Sequence, residues 1–280
     1  MIDPLIVEKI IDAALIEDIG FCDLTSELVI PRSAQAELAM NARHEMVIAG
    51  IDIAAQVFKR RVPDCRFEKF VEDGAGVAGR TGLALGSGHA QRGRTAERAA
   101  LKLLQHLSGI ATLTATYADK IRGLKAVLID TRKTTPGLRA LEKHAAQMGG
   151  ARNHRLRLDD GVLIKDNHIA VCGSIKAAVE RAQKNCPTLT KIEVECDTLE
   201  QVQEALDARA DCILLDNMTN DQMREAVRMA GGRVPLEASG GVRLETIRGI
   251  AETGVDFVSV GRITQSAPAV DIGLDAVIRT

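Results

Sequence analysis

The sequence has no tryptophan, one tyrosine and five phenylalanines, so aromatic residues make up 2% of its 280 residues. A flat, ring-shaped ligand could hardly be held mainly by stacking on such a protein, and hydrogen bonds and charge must hold it instead. A basic bias is missing too. Lys and Arg number 36 against 38 Asp and Glu, a net charge of −2, whereas nucleic-acid binders usually carry a marked excess of cations. No apolar run approaches the roughly 18 residues of a membrane span. The opening stretch, MIDPLIVEKIIDAALIEDIG, has acids among its apolar residues and neither a basic leader nor a cleavage site, so no signal peptide is expected. The six cysteines (Cys22, Cys65, Cys172, Cys186, Cys196, Cys212) form no Cys-x-x-Cys pair. That spacing disfavours a zinc site and suits a reducing cytoplasm.

What is present is an ordinary globular composition, 46% hydrophobic and 26% charged, on a chain long enough for one large or two ordinary domains. Leu5, Ile6, Ile10, Ala13 and Ala14 recur at helical intervals near the start. From Ala34 to about Arg92, short apolar runs punctuated by glycine read as antiparallel strands with tight turns. A nucleotide loop is disfavoured there, because no long parallel strand precedes those glycines and no helix is expected directly after them. Thr95 then opens a long helix with Ala99, Leu103, Leu107 and Ile110 on one stripe. Beyond residue 125 apolar runs end at Asp130, Lys165, Glu195, Asp216, Ser239 and Gly261. The later ones recur roughly every 22 residues, one strand–helix unit each, as in an α/β barrel or doubly wound sheet. Thr198-x-x-Gln201 and Thr219-x-x-Gln222 read as capping boxes, and Ser174 as an N-cap.

The stretch Ile129–Ile169 organises the rest. Two strand ends and the loop between them carry Arg132, Lys133, Arg139, Arg152, His154, Arg155, Arg157 and Lys165. Cations at the carboxyl ends of parallel strands face the usual ligand position, so the ligand should be anionic. Glu193 and Glu195 alternate along KIEVE and share a face, and Asp216 ends the apolar Ile213-Leu214-Leu215. Ser239-Gly240-Gly241 and Val260-Gly261-Arg262 end the last two strands, where backbone N–H groups can approach a phosphate. Each feature has a plainer reading. Glu195 and Asp216 could be structural ion-pair partners, His154 could orient a neighbour, His168 could cap a helix and Gly240-Gly241 could be a bare turn. Taken jointly, charges and glycines at six successive strand ends point to a site, since buried charge is costly unless paired or liganded.

The blocks TRKTTPGLRALEKHA, GGARNHRLRLDDGVLIKDNHI, EVE, LLDNM, EASGG and VSVGRITQSAPAVDIGLD resemble the quinolinate phosphoribosyltransferase family, and AERAALKLLQHLSGIAT in the long helix does so too. The chain departs from the family pattern at Arg157, where glycine is usual, at Lys102-Leu103 and at Gln265. The resemblance implies an N-terminal α/β sandwich over residues 1–115 and an incomplete, seven-stranded-type α/β barrel over 116–268. The tail 269–280 is expected to return to the first domain. It also implies a cytoplasmic homodimer with a shared active site, Mg2+ as cofactor, and transfer of phosphoribose from phosphoribosyl pyrophosphate to quinolinate with loss of CO2. Catalytic roles then fall to Lys133, Lys165, Glu195 and Asp216. Substrate contacts add Arg98, Thr131, Arg132, His154, Arg155, Ser239, Gly240, Gly241, Val260, Gly261 and Arg262. Glu195 and Asp216 are the expected Mg2+ ligands, directly or through pyrophosphate. Two other readings are a transferase of the related molybdenum-associated group and a non-catalytic phosphosugar-binding barrel.

Overall fold

The structure, a computed structural model, describes residues 2–277. It divides into two compact units. The first gathers the residues up to Ala115, Thr134–Gly150 and those from Ile263 onward, and the second holds Thr116–Lys133 and Ala151–Arg262.

In the first unit, β1 (Gln35–Ala42), β3 (Arg66–Lys69) and β5 (Gly82–His89) form an antiparallel sheet, with β5 in the middle of the three. The short β2 (Met46–Val47) and β4 (Gly76–Val77) pair separately. The glycine-rich run is thus a strand, and the long helix, Ala90–Lys120, begins directly after it, five residues before Thr95. Leu104, Leu107 and Ile110 on that helix are almost completely buried, each contributing about 1.5–3 kcal/mol by removal from water. A helix over Ile51–Arg61 has no counterpart in the sequence reading. It lacks a local side-chain cap; Asp73, some twenty residues away, accepts from the Gly50 and Ile51 N–H groups at 2.8 and 3.0 Å.

The sequence reading assigned 116–268 whole to the barrel, whereas 134–150 gathers with the first unit. Its helix, Arg139–Met148, is tied there by two part-buried pairs. His144 Nε2 meets Asp73 at 2.8 Å, and His106 Nε2 meets the fully buried Glu142 at 2.8 Å. Burial opposes charge on both carboxyls, but their hydrogen bonds from His144 and His106 prevail and hold both below the usual range. Gly149 sits so close to Ala111 O and Thr114 that any side chain there would collide.

The second unit is a parallel sheet of β6 (Val127–Ile129), β7 (Val162–Ile164), β8 (Ile192–Cys196), β9 (Cys212–Asp216), β10 (Leu236–Ser239) and β11 (Phe257–Ser259). Their spatial order is β6-β11-β10-β9-β8-β7. A lone parallel bridge between Ile129 and Arg152 adds a seventh position beyond β6, so the barrel is incomplete. Helices Ile175–Asn185, Leu199–Asp207 and Asn220–Ala230 connect successive strands. Ser174 caps the first, and capping boxes at Thr198 and Thr219 start the other two. Register places Glu195 beside Leu214, Leu214 beside Glu237, and Asp216 beside Ser239. With period-2 alternation, Glu193, Glu195, Cys212, Leu214, Asp216, Glu237 and Ser239 share one face.

The last strand, β12 (Ile272–Val277), pairs antiparallel with β1 in the first unit. The final three positions of the 269–280 tail lie outside the described residues. No helix among the described residues is long and apolar enough to cross a membrane.

Candidate active site

A cavity of about 560 Å3 opens at the carboxyl ends of the parallel strands. Thr131, Arg132 and Lys133 reach it from the end of β6, Lys165 from β7, Glu195 from β8 and Asp216 from β9. Ser239, Gly240 and Gly241 come from β10, and His154 and Arg155 from the segment after the Arg152 bridge. Five cationic or chargeable side chains therefore face three carboxylates, Glu195, Asp216 and Glu237, around one space. An anion of two or more charges is the ligand such a surplus favours.

Local hydrogen bonds aim these groups. Asp130 is completely buried where β6 ends, and its carboxylate accepts from Asn153 Nδ2 at 2.7 Å and His154 N at 2.8 Å. That fixes the turn from which His154 and Arg155 enter. Arg155 Nη1 donates to Gly161 O at 2.8 Å. Burial and the charge of Arg132 lower the Arg155 guanidinium from its ordinary value, although a guanidinium stays charged throughout the accessible range. Two neighbouring cations in a partly dry cavity favour an anion beside them. Lys165 pairs with Glu195, as the ion-pair reading of that acid expects. His168 Nδ1 accepts from Lys165 N at 2.9 Å and caps the helix Asp166–Cys172, its plainer reading.

Beneath the cavity His154 Nε2 donates to Glu193 at 2.9 Å and lies 3.4 Å from Glu237. Burial works against charge on the ring, but hydrogen bonds and charges from the two glutamates outweigh it and push His154 up to about 10. Arg155 N–H, 2.7 Å from Nδ1, favours a neutral ring; one backbone dipole is weaker than two carboxylates, and the imidazolium prevails. Burial and the neighbouring Glu193 charge raise Glu237 to about 7 against the hydrogen bond from His154, while burial of Glu193 is outweighed by His154, which holds it low.

Not every expected residue lines this space. Val260 is buried, and Gly261 and Arg262 follow β11 outside the lining. Gly261 still bears on it, because a Cβ there would come 2.9 Å from Lys133 Cδ. Arg98 is exposed on the long helix, within the first unit. Leu163, Leu214, Asn217, Glu237 and Ser259 line the cavity without having been anticipated. Glu237 stands two residues before Ser239 on the same strand, so alternation alone could have found it. Asn217 has φ 54°, a left-handed conformation that asparagine tolerates better than most residues.

Glu195 and Asp216 offer oxygen donors at adjacent strand ends. Mg2+ keeps several waters and takes one or two carboxylates plus substrate phosphates, and this pair fits that pattern. Among the described residues the one close group with metal-binding side chains is His154, Glu193 and Glu237. Its donors are already turned upon one another, which leaves a hard, hydrated cation little to bind.

Comparison with known proteins agrees with this geometry. The profile described as "Quinolinate phosphoribosyl transferase, N-terminal domain" matches residues 23–108, and that described as "Quinolinate phosphoribosyl transferase, C-terminal domain" matches 110–275. The chain is 43% identical over 268 residues to the nicotinate-nucleotide pyrophosphorylase (carboxylating) of Mycobacterium leprae, covering 94% of each chain. It is 42% identical over 277 residues to a probable enzyme of the same name from Synechocystis sp., covering 98% of this chain and 93% of that one. The solved nicotinate-nucleotide pyrophosphorylase of Francisella tularensis superposes with a TM-score of 0.95 at 36% identity, covering 99% of this chain and 98% of that one.

Proposed function

The chain belongs to the quinolinate phosphoribosyl transferase family, and from that premise we propose how its carboxyl-end cavity performs the family's reaction. The enzyme transfers phosphoribose from phosphoribosyl pyrophosphate to quinolinate with decarboxylation, in NAD biosynthesis. Nicotinate mononucleotide, pyrophosphate and CO2 are the products. The observation that carries the reading is the gathering of Arg132, Lys133, His154, Arg155 and Lys165 against Glu195 and Asp216 around one cavity.

Quinolinate is a pyridine with two adjacent carboxylates. Arg132 and Arg155 grip them through paired N–H donors, while Lys133, Lys165 and His154 complete the positive wall. Charge thus does what aromatic stacking cannot in so aromatic-poor a chain. Glu195 and Asp216 take the ribose hydroxyls, and their negative charge favours positive charge developing at C1 as the bond to pyrophosphate breaks. The Ser239–Gly241 turn and the Val260–Arg262 segment hold the 5′-phosphate through backbone N–H groups. Mg2+, held by Glu195 and Asp216 directly or through pyrophosphate, would neutralise charge on the leaving group. Once the ring nitrogen bonds to C1 it is cationic. The electron pair left at C2 when CO2 departs is then stabilised beside that nitrogen until C2 takes up a proton.

The assembly we propose is a homodimer in which a second copy contributes its Arg98 to the site. The six free cysteines fit the reducing cytoplasm as its setting. Incubation with phosphoribosyl pyrophosphate and quinolinate tests the reaction. Release of CO2 with formation of the mononucleotide supports it. Consumption of the pyrophosphate with a different acceptor would favour the molybdenum-associated group, and binding without turnover a phosphosugar-binding barrel. For the shared site, inactive Arg98→Ala and Lys133→Ala dimers are mixed under subunit exchange. About a quarter of the sites regain both residues if the site is shared, and none do if each protomer is self-sufficient.

A further inference from the structure

In the loop that follows β9, one side chain touches both halves of the phosphoribosyl subsite. Asn217 directly follows Asp216, lines the cavity and has φ 54°. Its Nδ2 donates to Asp216 Oδ2 at 2.6 Å. Its backbone N–H donates across to Ser239 O at 3.0 Å. The other end of the amide lies against Gly240, so close that a Cβ on Gly240 would overlap Asn217 Cγ and Oδ1. Gly240 itself has φ 87°. The amide therefore fills the space that the missing Gly240 side chain leaves, and spans from the Asp216 carboxylate to the Ser239–Gly241 turn.

We propose that Asn217 is a positioning residue that latches the Asp216 carboxylate to the Ser239–Gly241 turn, so that the ribose and 5′-phosphate of phosphoribosyl pyrophosphate are gripped as one rigid unit. The proposal rests on the assignment of Asp216 and the turn to phosphoribosyl pyrophosphate made above. Three properties of asparagine serve the task together. It accepts a left-handed backbone at small cost, its amide donates to a carboxylate that has no donor of its own, and it is short enough to fit against a bare glycine backbone. Without the amide, Asp216 could swing away from the turn, and each half of the substrate would have to be aligned separately at the expense of binding energy.

The test compares Asn217→Gly, which keeps the left-handed backbone and deletes the amide, with Asn217→Asp, which keeps the shape and replaces the donor with an acceptor. For Asn217→Gly we expect the KM for phosphoribosyl pyrophosphate to rise about tenfold, the usual loss for one hydrogen bond to a charged group. Quinolinate affinity, measured by calorimetry without the second substrate, should stay within about twofold. Asn217→Asp should weaken phosphoribosyl pyrophosphate further, since two carboxylates then face each other. An unchanged KM in both variants overturns the latch. So does equal weakening of both substrates together with a lowered Tm, which would make Asn217 only a turn former. Asp216→Asn is measured alongside. If that variant leaves the KM for phosphoribosyl pyrophosphate untouched, the assignment of the subsite fails rather than the latch.

Discussion

At the carboxyl ends of the barrel strands lies the cavity of about 560 Å3 just described, and at their amino ends lies another of about 240 Å3. The lower one is lined by residues that begin the strands: Val162 on β7, Cys212 on β9 and Phe257 on β11. The upper one is lined by residues that end them, Asp216 on β9 and Ser259 on β11 among them. Two residues along a strand return to the same face, so each strand supplies both cavities with different chemistry. Below, the side chains are bulky and their charges are occupied. Arg152 lies over the Phe257 ring at 5.7 Å, and Lys191 is 3.8 Å from Asp211. The Cys212 thiol is pushed up by burial and by Glu193, which leaves it unreactive. Above, cations face the carboxylates Glu195, Asp216 and Glu237, and bare backbone lines the cavity at Gly240 and Gly241. His154, Arg155 and Glu237 line both cavities and form the wall between them. One end of the strands serves packing and the other end chemistry, a division general to such barrels.

The sharpest way to break this contrast is to remove one cation from each end. Arg132→Ala, in the lining of the upper cavity alone, should lower kcat/KM by roughly 100-fold or more, because a buried substrate carboxylate left without its partner costs about 2–5 kcal/mol. Lys191→Ala at the lower end should leave kcat/KM within about twofold, as exposed charges away from a site do little. Similar losses at both ends, measured by steady-state kinetics, would erase the distinction. Next in size is substrate choice. Nicotinate lacks one carboxylate, so it leaves cations of the upper wall unmatched, and the same roughly 2–5 kcal/mol predicts a very poor substrate. Comparable turnover of nicotinate and quinolinate would mean that the cations serve something else.

A third prediction concerns the dividing wall. His154 keeps its proton in the folded state up to about 10, whereas in the unfolded chain it releases it near the ordinary histidine value of 6.5. Its contribution to stability is therefore complete below the unfolded value and is lost as pH rises toward the folded one. The slope approaches ~1.4 kcal/mol per pH unit for one such group. Chemical denaturation between roughly pH 7 and 8.5, below the ordinary thiol range, should show stability falling in the wild type and a flatter profile in His154→Gln. Equal slopes would mean a neutral His154, held by the Arg155 N–H instead. The smallest effect is expected at a residue that lines neither cavity: Thr219→Ala removes a capping box and should cost about 1 kcal/mol, a few degrees in Tm, with kinetics unchanged.

Legibility from sequence followed the range of the interactions. The barrel strands were readable because each apolar run and its polar end lie within a few residues, and the helices after β8 and β9 because Thr198 and Thr219 carry their caps locally. The helix Ile51–Arg61 was not, since Asp73 supplies its cap from a distant loop. Neither was the placement of 134–150, which depends on His144 meeting Asp73, 71 residues apart. In the site, cations and glycines announced themselves by type. Glu237 was overlooked because it sits inside an apolar run, where its proximity to His154 shows only after folding. Asn217 was overlooked because the reach of its amide to Asp216 and Gly240 depends on a left-handed backbone, which composition does not register.

The pairing of β12 with β1 has a consequence for how the chain is made. Asn41 and Asp275 are joined by a 3.1 Å hydrogen bond across 234 residues of sequence. As the chain emerges from the ribosome, β1 can find β5 early, but its other edge stays open until almost everything downstream has been synthesised. An open strand edge is a template for pairing with other chains, and contacts of such long sequence separation form slowly. The sheet that contains β1 is thus completed only once β12 has been made, and until then it offers an edge on which neighbouring nascent chains can pair.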